Sequence, residues 1–158
     1  EKIFKMRRIR KEIEKYNNIS SDTYDSIIES TGYNTVQFTI HIKPIVKNVK
    51  VCLKYSPEYP FTPPDMCING HGYMSLIKTN KFNKDILKKI YKNDCCLCCS
   101  TIMCRNNWAP TLNFKNILDE IVKNLILKTY FVSVFNANKI YQNYNISDDI
   151  LNKIIKYL

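Results

Sequence analysis

Glycine is scarce in this chain, three residues in 158, and no segment reads as a linker or an internal repeat. With 45% hydrophobic residues, the sequence suits one compact domain with its own core over residues 1–158. Long apolar runs are also missing. None approaches the ~20 residues that a membrane-spanning helix needs, and the charged start Glu1-Lys2-Ile3-Phe4-Lys5-Met6-Arg7-Arg8 lacks the apolar stretch of a secretory signal. An initiating Met is expected before Glu1, with no other trimming. These absences point to an intracellular, soluble protein of the cytosol or nucleus. Carboxylates are in short supply, 14 Asp and Glu against 24 Lys and Arg, for a net charge of +10. Such a balance suits an acidic protein or a nucleic acid. The lysines, however, are scattered nearly end to end and rise together with Asn, Ile and Tyr, as a compositional bias of the whole coding sequence would make them. That scatter argues against a nucleic-acid module, whose binding would weaken steeply with salt.

Cysteine is the exception to this scarcity. Seven are present, five of them between residues 95 and 104. Adjacent pairs such as Cys95-Cys96 and Cys98-Cys99 make poor long-range staples, so reduced thiols are expected rather than a disulfide framework. Cys95-x-x-Cys98 and Cys96-x-x-Cys99 have the spacing of zinc ligands, with Cys104 close by. The two pairs overlap, and a second ligand pair would have to come from Cys52, Cys67, His41 and His71. No metal and no cofactor is therefore assigned. Cys52 and Cys67 sit in strand patterns and are expected to be small core residues, and His41 a solvent-facing strand residue.

Hydrophobic periodicity divides the chain into elements. Met6, Ile9, Ile13 and Tyr16 recur at helical spacing, with Arg7, Arg8, Lys11 and Lys15 outside that stripe. Asn17-Asn18 and Ser20-Ser21-Asp22 end this helix. Val36, Phe38, Ile40 and Ile42 alternate with polar residues, and so do Val49, Val51, Leu53 and Tyr55, which predicts two adjacent antiparallel strands. A third strand is expected near residues 26–30 and a fourth over 65–68. Between them, Pro57, Pro60, Pro63 and Pro64 predict a stiff, extended crossing. Asn69-Gly70-His71-Gly72 reads as a turn, and Phe82 to Tyr91 as a short helix capped by Asn83. Asn113 is placed to cap a central helix carrying Phe114, Ile117, Leu118, Ile121, Val122 and Leu125 inward and Asp119 and Glu120 toward solvent. Ser147, Asp148 and Asp149 open a C-terminal helix.

Two motifs stand in order along this framework. Tyr59-Pro60-Phe61-Thr62-Pro63-Pro64 leaves the sheet, and Trp108-Ala109-Pro110-Thr111-Leu112 enters the central helix. With Arg8-Ile9-Arg10-Lys11-Glu12-Ile13 in the first helix and Cys99-Ser100-Thr101-Ile102-Met103 before the tryptophan, the chain resembles the ubiquitin-conjugating enzymes. The resemblance implies an α/β (α+β) fold: an N-terminal helix, a four-stranded antiparallel meander, then central and C-terminal helices, with an insertion around 69–94.

It also implies nucleophilic catalysis by a thiol. A cysteine thiolate would take ubiquitin, or a ubiquitin-like modifier, from the thioester of the activating enzyme in an ATP-dependent pathway. It would then pass the modifier to a substrate lysine or a ubiquitin ligase. Cys99 best matches the reactive position, since Ile102-Met103 supplies the family's aliphatic pair. Cys96 and Cys98 are the alternatives. Arg7, Arg8 and Lys11 match the surface that meets the activating enzyme, and Phe61, Ala109 and Pro110 the loops that meet ligases. The family's His-Pro-Asn motif, whose amide stabilises the oxyanion, is absent: His71 is followed by Gly72-Tyr73. Asn69, Asn80 and Asn83 are the candidate substitutes, and Lys128 to Ser133 lacks the carboxylate expected beyond the central helix. The alternative expectations are an inactive variant of the fold that binds ubiquitin or a conjugating partner, or a cysteine-rich zinc-binding module.

Overall fold

A computed structural model describes residues 2–78 and 97–144 of the chain. Helix α1 (Lys2–Lys15) is followed by strands β1 (Asn18–Ser20), β2 (Tyr24–Thr31), β3 (Thr35–Ile42), β4 (Lys47–Lys54), β5 (Asp65–Ile68) and β6 (His71–Gly72). Among the described residues three α-helices follow: the one-turn α2 (Tyr73–Leu76) and α3 (Leu97–Ser100), and the 31-residue α4 (Phe114–Tyr144). The strands form one antiparallel meander in sequence order.

Period-two alternation decides which sheet face is dry. Val36, Phe38, Ile40 and Ile42 of β3, Val49, Val51 and Leu53 of β4, and Met66 and Ile68 of β5 are all buried. Helix α4 lays Phe114, Ile117, Leu118 and Ile121 into the same core, and the Phe114 ring meets Phe38 edge-on with centroids 5.1 Å apart. Each fully buried side chain of this kind stabilises the fold by roughly 1.5–3 kcal/mol. Ile9 and Ile13 of α1, and Tyr16 just after it, pack half-buried on the cluster. The Ser26 hydroxyl is buried on the inner face and has no hydrogen-bond partner among the described residues. Ser26→Ala removes that desolvated oxygen at little cost in volume. Urea unfolding is expected to show it about 1 kcal/mol more stable than the parent, and a loss of stability would reveal a partner for the hydroxyl.

Several expectations change. The meander has six strands rather than four, because β1 and β6, three and two residues long, are too short to show alternation. Asn69 (φ 49°) and Gly70 (φ 80°) form the tight turn joining β5 to β6, as an Asn-Gly pair favours. Residues 57–62 fold into turns, not an extended crossing, with a cis peptide between Tyr59 and Pro60. The stretch Lys128 to Ser133 lies inside α4, not beyond a shorter central helix. Cys52 and Cys67 are not core residues. The alternation that buries Val51 and Leu53 turns Cys52 outward and half-buried, and Cys67, between buried Met66 and Ile68, is exposed. The expected helices near Asn83 and after Ser147 lie outside the described residues.

Candidate functional site: the loop pair beside the first helix

The two proline loops are held together by Trp108. Its indole N–H donates to the Pro60 carbonyl at 2.7 Å, and its ring lies 6.1 Å from that of Tyr59, which stacks edge-on against Tyr55 at 4.7 Å. Packing of these rings fixes the inner side of both loops. Their outer side carries Phe61, 72% exposed, with the exposed Pro110 and half-buried Ala109 on the partner loop. An exposed ion pair, Arg105 to Glu58 at 3.4 Å, crosses between the same two segments.

Below the loops, one carboxylate joins three parts of the fold. Glu12 of α1 accepts from Arg8 Nε at 2.8 Å, from the Tyr59 hydroxyl at 3.2 Å and from the backbone N–H of Phe114 at 2.9 Å. The last is one of the N–H groups that every helix start leaves unpaired. Asn113 and Asn116 satisfy others reciprocally, Asn113 Oδ1 accepting from Asn116 N and Asn116 Oδ1 from Asn113 N, so Asn113 is the cap expected from sequence. Burial and then the Glu12 charge push the Tyr59 hydroxyl well above its ordinary pKa. For Arg8, partial burial disfavours the cation, but the Glu12 hydrogen bond and charge outweigh it and the pKa rises.

Arg8 is therefore not the free cation that the helical pattern predicts. It is half-buried, its Nη2 donates to the Leu112 carbonyl at 2.9 Å, and its guanidinium lies 5.4 Å from the Tyr59 ring centroid. Arg7 and Lys11 are exposed. With Lys15 and Tyr16 they line a groove of about 550 Å³ along α1. Glu12, the acidic residue of that groove, is already engaged from three sides.

The cysteine segment is anchored from beneath. Glu120, expected in solvent, is half-buried and accepts from Ile102 N at 3.1 Å and from Asn124 Nδ2 at 3.0 Å. Met103 is buried and Ile102 packs on the core, as an aliphatic pair at that place should. Cys99 is exposed, and its sulfur lies 4.0 Å from that of half-buried Cys98. Asn107, which the sequence reading passed over, spends both amide hydrogens on the backbone, reaching the Cys99 carbonyl at 2.9 Å and the Thr101 carbonyl at 3.0 Å. Asn69, in the turn after β5, uses its Oδ1 to accept from Lys50 N at 2.8 Å. Among the described residues, no three His, Cys, Asp or Glu side chains converge as a metal-ligating group, and no helix is long and apolar enough to cross a membrane. Cys95, Cys96, Asn80 and Asn83 lie outside those residues.

The RWD domain family model matches residues 7–124, well over half of the chain. The chain belongs to the RWD domain family. RWD domains have the α+β fold of the ubiquitin-conjugating enzymes, so the resemblance carried by the two proline motifs is a likeness of fold. They mediate protein–protein interactions and usually lack conjugating activity. No curated protein matches the chain. In this RWD domain the match runs from the basic turn of α1, through the sheet, both loops and the cysteine segment, to Asn124 in α4.

Proposed function

We propose that this RWD domain is a docking module that binds a protein of the ubiquitin-conjugation system, ubiquitin itself or a conjugating partner, and carries no acyl group of its own. The observation that supports this most is Phe61. A large aromatic side chain left in solvent, on a loop whose neighbouring Tyr59 is buried and hydrogen-bonded, is a rigid apolar anchor of the kind that dominates protein interfaces. Ala109 and Pro110 extend the anchor. Arg7 and Lys11, exposed on α1 where Arg8 meets the Tyr59 ring, supply a cationic edge that favours a partner with carboxylates beside its apolar patch. Among the described residues, the neighbouring Asn107 spends its amide N–H groups on the Cys99 and Thr101 carbonyls, so it is not free to donate to an oxyanion at Cys99.

The test has two arms. Titration with ubiquitin and with a conjugating enzyme, followed by amide chemical shifts, is expected to perturb residues around Phe61 and Pro110. Phe61→Ala weakens that binding about tenfold or more while changing stability by less than about 0.5 kcal/mol, as for other exposed substitutions. Incubation with activating enzyme, ATP and ubiquitin yields no adduct that dithiothreitol removes. A labile adduct lost in Cys99→Ala would return the domain to the conjugating enzymes.

A further inference from the structure

Two thiols that the strand patterns assigned to the core stand on neighbouring strands of the sheet, facing away from its core. In β4 the side chains of Val51 and Leu53 point inward, so Cys52 points outward, and in β5 buried Met66 and Ile68 do the same for Cys67. The register pairs Cys52 directly with Cys67. One rung type further fixes their separation. Asn69 N–H donates to the Lys50 carbonyl at 2.8 Å. Hydrogen-bonded and non-hydrogen-bonded rungs alternate in an antiparallel pair, so the Cys52–Cys67 rung, two residues along, is of the hydrogen-bonded type with Cα atoms about 5.5 Å apart. That lies inside the roughly 4.4–6.8 Å range that a disulfide spans, whereas the Cβ atoms of such a rung, about 5.5 Å apart, must draw in by roughly 1 Å to reach bridging distance, so the bond forms under strain and is the more readily reduced. Both thiols are free, and Cys67 is exposed.

We infer that Cys52 and Cys67 form a reversible cross-strand redox pair, with a hydroperoxide as oxidant. The accessible Cys67 thiolate attacks one peroxide oxygen. The O–O bond breaks, the departing oxygen takes up protons and leaves as water, and Cys67 holds a sulfenic acid. The Cys52 sulfur then attacks the Cys67 sulfur. An S–S bond forms as the S–O bond breaks, and the Cys52 proton leaves with the hydroxyl as a second water. Two thiols have lost two electrons and two protons, and hydrogen peroxide has become two waters. A bridge at so open a position is reducible by small thiols, so the modification reverses. It would also close residues 53–66 into a ring, and that ring contains Phe61. This last consequence rests on the docking reading, whereas the bridge itself does not.

The experiment exposes the full chain to hydrogen peroxide, blocks remaining thiols with an alkylating agent and maps non-reduced peptides by mass. The expected product joins the Cys52 and Cys67 peptides with the loss of two hydrogens, disappears in Cys52→Ser and in Cys67→Ser, and is returned to two alkylatable thiols by dithiothreitol. Limited proteolysis between residues 55 and 64 slows in the bridged form. The inference is overturned if Cys52 and Cys67 stay fully alkylatable while cysteines 95–104 oxidise, or if Cys67 advances to sulfinic acid with Cys52 still free. Neither result depends on whether a partner binds Phe61.

Discussion

Glu12→Ala is expected to lower the unfolding free energy by about 2–4 kcal/mol. The substitution leaves three donors behind at once: the Phe114 N–H, the buried Tyr59 hydroxyl and the Arg8 guanidinium. Each uncharged group left unsatisfied costs roughly 1–3 kcal/mol. Arg8 contributes less than a buried cation would, because a third of its side chain reaches water and solvent screens it. Glu12→Gln keeps one acceptor oxygen but loses the charge, and about half of the destabilisation is expected from it. The measurement is the urea midpoint at unchanged slope. A shift worth less than about 0.5 kcal/mol, the range of ordinary surface changes, would mean that the three donors find water or other partners and that the carboxylate is not the joint between α1, the Tyr59 loop and α4.

Trp108→Ala should cost more, about 3–5 kcal/mol, through the cavity left by a large and almost buried ring. The informative variant is Trp108→Phe. It keeps most of the apolar volume and removes the N–H that holds the Pro60 carbonyl, for an expected loss of about 1–2 kcal/mol. Phe61 follows Pro60 directly, so the same variant is expected to weaken partner binding several-fold although no contact residue has changed. Calorimetric titration alongside urea unfolding separates the two effects. If binding is unaltered in Trp108→Phe, the exposed ring does not depend on that hydrogen bond for its position.

Much of this arrangement was legible because local pattern and tertiary role agree. The alternation from Val36 to Ile42 reports the buried face of β3 directly, and Asn113 both reads as a cap and acts as one. The anchors were visible for the same reason, since a Pro-rich aromatic segment and a Trp-x-Pro turn have few other uses. What stayed hidden was set by partners distant in sequence. Glu12 looks like one more charge on a basic helix, with only the four-residue spacing to Arg8 as a signal, and two of its three partners are 47 and 102 residues away. The length of α4 was concealed by Lys128, which interrupts the apolar stripe between Leu125 and Phe131. Its ammonium reaches the Lys78 carbonyl at 2.6 Å, so the stem can lie along the helix while the charge is satisfied beyond it. The cysteines of β4 and β5 failed as core residues for a simpler reason: each is one residue out of phase with the buried set, and a shift of one residue exchanges the two faces of a strand.

The contact between Glu12 and the first amide of α4 also sets an order of events. Because the carboxylate and the amide are separated by 102 residues, a chain emerging from the ribosome must extend that far beyond its first helix before the helix can be clamped. Until Phe114 and the apolar residues that follow it are extruded, the buried face of the nascent sheet has no α4 to cover it, and it remains a candidate for chaperone capture.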